Sequence, residues 1–210
     1  MNGTIFFDLD GTLTDPKTGI TQSINYALTG LGFARQDNDE LTWCIGPPLL
    51  ESFEKLVGDT LATEALALFR ERFSEVGWQE NAIYPGIVAT LQQLTEANQS
   101  LYVATSKPFV YAEKIIRHFK MDRYFLRIFG SELDGTRARK GELLRFALSE
   151  IEPVARATMI GDREHDIFGA KANRIRSVGV TYGYGSKNEL QTAGADVIVN
   201  SPGELIRQFA

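Results

Sequence analysis

The sequence predicts an α/β fold in which a mostly parallel sheet carries helices on both faces and a small α-helical domain is inserted after the first strand. Three observations predict this fold. A short apolar run near the amino terminus has the composition of a buried strand, and about seventy residues with helical apolar spacing follow it. Strand-like and helix-like segments then alternate along the rest of the chain, a pattern typical of parallel sheets with right-handed crossovers.

The first strand is predicted over Thr4 to Phe7, where β-branched and aromatic residues are bounded by Gly3 and Gly11. Asp8 follows directly at its carboxyl end, and Asp10 comes two residues later. Ligands of open α/β sheets bind outside the carboxyl ends of the strands, so we expect chemistry at this point. A turn formed by acidic residues and glycine is the alternative for this stretch taken alone.

Three amphipathic helices are predicted in the strand-free block that follows. The first ends at Gly32, the second begins after Gly46-Pro47-Pro48, and the third is capped by Asp59 or Thr60. The segment from Trp43 to Pro48, which includes Gly46, is predicted to face the substrate, with a simple interhelical turn as the alternative.

We therefore predict two domains. Residues 1–15 and 84–210 form a catalytic α/β core, and residues 16–83 form a helical cap that covers the strand ends as a lid. The other strands are predicted at 100–105, 127–129, 157–160, 177–180 and 197–199, and the other helices at 88–94, 109–119, 141–151, 166–172, 188–193 and 203–209.

Composition excludes several classes of protein. Of the 210 residues, 43% are hydrophobic and 23% are charged, which is typical of a soluble globular protein. The formal charge of −5 and the lack of a basic run argue against binding to a nucleic-acid polymer or a membrane surface. No apolar stretch approaches the about 18 residues of a membrane span, and the amino terminus does not resemble a secretion signal, so we expect a cytoplasmic protein. Cys44, the single cysteine, is expected to be a small buried apolar residue.

Polar side chains follow four of the predicted strands. Because the carboxyl ends of parallel strands meet at one edge of a sheet, we expect these side chains to lie close together. They are Asp8 and Asp10 after the first strand, Thr105, Ser106 and Lys107 after the second, Lys140 after the third, and Asp162 and Asp166 after the fourth.

Three of these carboxylates predict a metal site. Asp8, Asp162 and Asp166 at one edge would repel one another unless a cation or protons compensated them. Oxygen donors without cysteine, and with few histidines in the chain, indicate a hard ion such as Mg²⁺. Gly161-Asp162-x-x-x-Asp166 taken alone fits a turn and helix cap equally well, and Asp8 at a neighbouring strand end favours the metal.

The same groups fit phosphoryl transfer, in which catalysis is mostly positioning and charge neutralisation. Asp8 can attack phosphorus and form an aspartyl phosphate. Asp10 can protonate the leaving alkoxide and later activate water. Thr105 and backbone N–H groups near Ser106 can hold the phosphoryl oxygens, while Lys140 neutralises charge and orients the nucleophile.

Four motifs in this order resemble those of the haloacid dehalogenase-like superfamily, and the resemblance spans essentially the whole chain. They are Phe7-Asp8-Leu9-Asp10-Gly11-Thr12-Leu13, Thr105-Ser106, Lys140 and Gly161-Asp162-x-x-x-Asp166. The helical insertion resembles the type I cap of that superfamily, and the core is then expected to be Rossmann-like. Local sequence, such as Ile45-Gly46-Pro47-Pro48-Leu49 and Thr105-Ser106-Lys107-Pro108, is similar to phosphoglycolate phosphatase-like proteins and bacterial 5′-nucleotidase relatives.

The resemblance implies a Mg²⁺-dependent phosphatase that acts on a small phosphorylated metabolite, with phosphoglycolate or a nucleoside 5′-monophosphate as candidates. It implies that Asp8 is the nucleophile, that Asp10 is the acid/base and lends its backbone carbonyl to the metal, and that Asp162 binds the metal directly. Asp166 acts directly or through water. The implied site residues are Asp8, Asp10, Thr105 and Lys140 for catalysis, Gly11, Thr12, Ser106 and Gly46 for substrate, and Asp8, Asp10, Asp162 and Asp166 for metal.

Some features depart from the pattern or leave alternatives open. Lys140 precedes Gly141-Glu142 rather than the Pro-x-Pro common in relatives. Lys107 is interpreted as a residue at the start of a helix near the site rim, His165 as pointing outward, and Gly183-Tyr184-Gly185 as a plain loop. A phosphomutase, or a phospho-acceptor or binding domain without turnover, is the alternative function, and we expect a monomer or weak homodimer.

Overall fold

A computed structural model describes residues 3–151 and 156–209 of the chain, so the parts of the predicted core at 1–2, 152–155 and 210 lie outside the described residues. Within that range the fold is a six-stranded parallel sheet covered by helices, with further helices inserted after the first strand. The predicted fold class is therefore confirmed. No helix among the described residues combines the length and the apolarity needed to cross a membrane.

The predicted elements follow one another in the predicted order, and two short strands, at Thr14–Asp15 and Ala82–Ile83, are added to them. The strands are β1 (Thr4–Phe7), β2 (Thr14–Asp15), β3 (Ala82–Ile83), β4 (Ser100–Pro108), β5 (Arg127–Ser131), β6 (Ala157–Gly161), β7 (Arg176–Val180) and β8 (Val197–Val199). The helices are α1 (Lys17–Gly30), α2 (Leu49–Val57), α3 (Asp59–Arg72), α4 (Ile87–Glu96), α5 (Phe109–His118), α6 (Lys140–Ser149), α7 (Glu164–Ala172), α8 (Lys187–Ala193) and α9 (Pro202–Ile206).

The strand β1 lies at the centre of the sheet, whose order is β5-β4-β1-β6-β7-β8. Ile5 lies opposite Leu101 of β4 and Thr158 of β6. Every residue of β1 is buried because helices cover both faces, which explains why the strand is a continuous apolar run. Phe6 packs in a different apolar cluster from its neighbours, as the alternation of strand side chains requires. The central position of β1 places the residues after it between two other strand ends.

The inserted helices pack around an aromatic centre. The ring of Phe69 lies 6.1 Å from that of Phe53 and 5.2 Å from that of Phe73. A π-helical turn, Phe73–Gly77, follows α3, where the sequence predicts a continuous α-helix. A β-carbon on Gly19 of α1 would lie 1.9 Å from the carbonyl oxygen of Gly77, so the two backbones are in direct contact there. This close approach holds α1 against the π-helical turn.

A short antiparallel ribbon joins the insertion to the sheet. Thr14 of β2 pairs with Ile83 of β3 at the two places where the chain passes between the predicted domains. The sequence does not predict this ribbon, because two residues per strand are too few for a periodic pattern.

Cys44 is 1% exposed, and burial raises the pKa of its thiol to about 12, in agreement with the predicted buried apolar role.

Candidate active site

A cavity lies between the carboxyl edge of the sheet and the inserted helices. Asp8 and Asp10 line it from the sheet side, together with Thr105, Ser106 and Lys107. The opposite wall consists mainly of apolar residues from the insertion, which are Ile20, Pro47, Pro48, Leu49, Leu50, Leu66, Phe69 and Phe73. The cavity is therefore polar at the strand ends and apolar at its other wall.

Asp8 is held in place by three structural elements. Its backbone N–H donates to the carbonyl of Ile160 in β6 at 2.9 Å, which fixes the backbone at the end of β1. Its Oδ1 accepts the N–H of Leu9 at 2.8 Å and lies 3.0 Å from Nζ of Lys140. The side chain is only 6% exposed, yet it lines the cavity. A carboxylate with one oxygen anchored in this way is oriented for attack by the other.

Lys140, the first residue of α6, is buried, and its ammonium group has three partners. Its Nζ donates to the carbonyl of Ala104 at 2.9 Å and lies 3.0 Å from Asp8 and 2.8 Å from Asp166. An ammonium group has three hydrogens, and these three partners account for all of them. The stem of Lys140 also packs on α7, where a β-carbon on Gly169 would come within 2.7 Å of its Cγ. Lys140 is thus a fixed cation between two carboxylates.

The predicted metal ligands form one buried cluster. Asp8, Asp162 and Asp166 each offer a carboxylate oxygen, and these oxygens lie within 4.8 Å of one another. Asp166 accepts the backbone N–H of Arg163 at 3.1 Å from the first turn of α7. A β-carbon on Gly161 would lie 2.1 Å from the carboxyl carbon of Asp166, so this close approach requires glycine. The cluster could hold a metal ion.

The loop after β7 contributes to this cluster. The backbone N–H of Tyr184 donates to Oδ2 of Asp162 at 2.7 Å, and Thr12 Oγ1 lies 3.3 Å from Oδ1. Gly11 has φ +81°, and β-carbons on Gly11 or Gly183 would lie 2.2 and 2.5 Å from the Asp162 carboxylate. The Gly183-Tyr184-Gly185 segment is a loop, as predicted, but it also orients a predicted metal ligand.

Burial sets the charge balance of the cluster. Burial raises the pKa of the Asp162 carboxyl well above its usual range, and the nearby Asp166 and Asp8 raise it further. Burial also raises the pKa of Asp166 to about 6, although Lys140 opposes the shift. For Lys140, burial alone would lower the pKa, but Asp166 and Asp8 outweigh it and the pKa is raised. The carboxylates therefore exceed the compensating charge of Lys140 and favour an additional proton or cation.

Asp10 has a different partner. Its Oδ2 lies 2.7 Å from Nζ of Lys107, whose side chain is only 7% exposed. Burial raises the pKa of Asp10, and Lys107 counteracts part of this shift. The interpretation of Lys107 as a residue at the site rim is therefore wrong. The reason is that β4 extends to Pro108 with a shift of register after Thr105, where the Lys107 backbone N–H donates to Thr105 Oγ1 at 3.2 Å, and an apolar pattern that ends at Thr105 does not reveal this.

The insertion contacts the sheet edge through Gly46 and its neighbours. Arg163 donates from Nη1 to the carbonyl of Ile45 at 2.6 Å and from Nε to Glu189 at 2.9 Å. Gly46 has φ +106°, and a β-carbon there would lie 2.9 Å from Cγ of Arg163. Because Gly46 and Pro47 also line the cavity, the segment predicted to face the substrate does lie at its wall.

The structure thus places the predicted residues in two groups. Asp8, Asp10, Thr105, Ser106 and Gly46 line the cavity. Lys140, Asp162 and Asp166 lie behind it in the buried cluster with Asp8, and Gly11 and Thr12 lie there against Asp162. Three further contributors, Lys107, Arg163 and Tyr184, have no predicted role in the site. The position of Lys107 depends on the register shift of β4 after Thr105, and the other two act through main-chain contacts with distant residues, so the sequence has no local signal for any of them.

Comparison with known proteins identifies the family. The model of the haloacid dehalogenase-like hydrolases matches residues 5–180, which include all four predicted motifs. The chain belongs to this family. The family resemblance and the expectation of a phosphatase are therefore confirmed.

Individual relatives align with nearly the whole length of this chain. A 5′-nucleotidase of Pseudomonas aeruginosa is 50% identical over 190 residues, 89% of this chain and 86% of that protein. The tyrosine-protein kinase PtkA of Mycobacterium tuberculosis is 37% identical over 94% of this chain and 68% of its own length. The crystal structure of a predicted phosphatase from Clostridium acetobutylicum superposes with a TM-score of 0.95 at 42% identity, covering 99% of this chain and 98% of that one. Bacterial phosphoglycolate phosphatases are similar at 25 to 28% identity.

Proposed function

We propose that this protein is a Mg²⁺-dependent phosphomonoesterase that works through an aspartyl phosphate on Asp8. The observation that carries the proposal is the arrangement around Asp8, whose carboxylate opens onto the cavity while Lys140 holds its Oδ1 at 3.0 Å. Asp10 lines the same cavity two residues away, which provides a separate acid/base beside the nucleophile.

The chemistry divides into two displacements at phosphorus. In the first, an oxygen of Asp8 attacks phosphorus, the bond to the leaving alcohol breaks, and Asp10 gives its proton to the departing oxygen. In the second, Asp10 takes a proton from water, which attacks the aspartyl phosphate and releases inorganic phosphate. Thr105 and the backbone beside Ser106 are proposed to bind the phosphoryl oxygens. Asp8 and Asp10 are restored at the end of the cycle.

The donor set fits Mg²⁺. Asp8, Asp162 and Asp166 supply oxygen atoms only, and their negative charge exceeds that of the one lysine between them. We propose these three residues as ligands, with the backbone carbonyl of Asp10 completing the protein contribution. When bound, the ion would neutralise charge on the phosphoryl group.

A nucleoside 5′-monophosphate is the substrate that we favour. The relative with 50% identity is named a 5′-nucleotidase, and the apolar wall of the cavity suits a leaving group with an aromatic face. Phosphoglycolate is the second candidate, because more distant relatives carry that name. We also expect a cytoplasmic monomer or weak homodimer.

A panel of phosphate esters tests this function. The purified protein is incubated with nucleoside 5′-monophosphates, phosphoglycolate and sugar phosphates, and released phosphate is measured with Mg²⁺ and with a chelator. We expect Mg²⁺-dependent release with a preference for a nucleotide. Release that persists in the chelator, or no release from any ester, would contradict the proposal. Transfer of the phosphoryl group to a second sugar position would indicate a mutase, and a stable aspartyl phosphate would indicate a phospho-acceptor.

A further inference from the structure

Lys107 and Lys140 divide the two reactive carboxylates between them. Lys140 contacts Asp8 at 3.0 Å, and Lys107 contacts Asp10 at 2.7 Å. The family resemblance implies a catalytic role for Lys140 but none for Lys107. Lys107 is nevertheless almost completely buried beside Asp10, so its position there indicates a function.

Two further contacts fix Lys107, one through its backbone and one through its ammonium group. The backbone N–H of Lys107 donates to Oγ1 of Thr105 at 3.2 Å, which fixes the residue at the end of β4. Its Nζ lies 4.6 Å from the centre of the Phe73 ring, within the distance at which a cation is attracted to an aromatic face. Phe73 is 2% exposed and belongs to the inserted helical segment. Lys107 thus connects the inserted segment to Asp10.

The two oxygens of Asp10 have different surroundings. Oδ2 is paired with Lys107, whereas Oδ1 is buried and has no hydrogen-bond partner among the described residues. Among the described residues, Lys107 is therefore the side chain that fixes the orientation of the Asp10 carboxyl group.

We propose that Lys107 is a positioning residue that holds Asp10 for proton transfer, with Phe73 of the inserted segment holding the lysine in place. This inference rests on the proposed function. The proton that leaves the Asp10 carboxyl group goes to the alcohol oxygen as the P–O bond breaks, and a proton from water returns to that carboxyl group as the aspartyl phosphate is hydrolysed.

Leaving groups that differ in their need for a proton test this role. 4-Nitrophenolate departs without a proton, whereas the alkoxide of benzyl phosphate requires one. In Lys107→Met we expect kcat/KM for benzyl phosphate to fall about 100-fold and that for 4-nitrophenyl phosphate to fall about threefold or less. Lys107→Arg retains the cation and is expected to recover most of the benzyl phosphate activity. An equal loss for the two esters, or no loss, would overturn the proposal.

A matched control and a double variant sharpen the test. Lys114 also lies over an aromatic ring, with Nζ 4.0 Å from the centre of Trp78, but it is not among the residues that line the cavity, so Lys114→Met is expected to leave both rates unchanged. Asp10→Asn is expected to show the same selectivity between the esters as Lys107→Met. Adding Lys107→Met to Asp10→Asn is then expected to cause little further loss, because the two residues act as one unit. Losses that multiply in the double variant would contradict the proposal.

Two further outcomes separate this inference from the proposed function. If the wild-type protein hydrolyses neither these two esters nor any ester of the panel described above, the proposed function fails. If it hydrolyses both and Lys107→Met does not discriminate between them, only the role of Lys107 fails. If Lys107→Met does not fold by circular dichroism, Phe73→Leu provides the same test. That variant keeps an apolar wall but removes the ring face, and we expect a selective loss of about threefold for benzyl phosphate.

Discussion

The two walls of the cavity differ in the chemistry of their side chains. At the sheet edge, charged side chains have fixed partners, as Asp8 has in Lys140 and Asp10 has in Lys107. On the inserted segment, the wall consists mainly of apolar side chains such as Leu50, Leu66 and Phe69. Ion pairs and hydrogen bonds have strict geometry, whereas apolar contacts do not. The sheet edge is therefore suited to a defined reaction and the other wall to the choice of substrate.

This difference predicts that substitutions at the two walls have different kinetic effects. A change to a sheet-edge group that acts directly at phosphorus, such as Asp8, is expected to lower kcat for every substrate. A change on the inserted segment away from Phe73, which contacts Lys107, is expected to alter the ranking of substrates and to leave the reaction itself intact. The following predictions test the comparison, and the largest expected effect comes first.

Asp8→Asn is expected to lower kcat at least about 10⁴-fold for every ester, because an amide cannot act as the nucleophile. The side chains have nearly the same volume, so the fold is expected to be retained, which circular dichroism can check. Asp59→Asn, an exposed residue at the start of α3, is the matched control and is expected to have full activity. Turnover retained in a folded Asp8→Asn protein would refute the assignment of the nucleophile.

Much of the sheet edge could be predicted from the sequence. Asp8 and Asp162 lie directly after strands with clear apolar patterns, Asp166 follows in the first turn of α7, and parallel strands bring their carboxyl ends together. The three inserted helices were also predictable, since their apolar residues recur with helical spacing.

Other features depend on contacts between distant residues. The β2–β3 ribbon is too short to have a pattern, and the π-helical turn at Phe73–Gly77 follows an uninterrupted helical sequence. Arg163 reaches Ile45 across 118 positions and binds a main-chain carbonyl, which any residue could supply. The pairing of Lys107 with Asp10 depended on where β4 ends, and strand ends are the least certain part of a sequence-based prediction.

The second prediction concerns the stability of the metal-free sheet edge. Because the pKa of Asp166 is raised to about 6 in the folded protein, the folded state binds more protons than the unfolded state between about pH 4 and 6. The contribution of Asp166 to stability is therefore present below this window and is lost as the pH rises through 6. We expect a loss of about 3 kcal/mol in the free energy of unfolding across the whole window, and the raised pKa of Asp162 acts in the same direction.

Thermal unfolding at several pH values, with and without Mg²⁺, provides the measurement. In Asp166→Asn the decline in Tm on raising the pH from 5 to 7 is expected to be smaller than in the wild type, since the titrating group is gone. Mg²⁺ is expected to raise the wild-type Tm at pH 7 and to have a weaker effect on the variant. Identical pH profiles for the two metal-free proteins would show that Asp166 does not carry this dependence.

The smallest effect is expected at the opposite wall. Leu50 lies on α2, lines the cavity and is 39% exposed, so Leu50→Ser removes apolar contact with little cost to folding. We expect kcat/KM for a nucleoside 5′-monophosphate to fall about fivefold, mainly through KM, while that for phosphoglycolate changes less than twofold. Leu126→Ser, at a residue that is 68% exposed and does not line this cavity, is the matched control. An equal loss of kcat for both substrates would mean that this wall takes part in the reaction, and the division between the two walls would then be wrong.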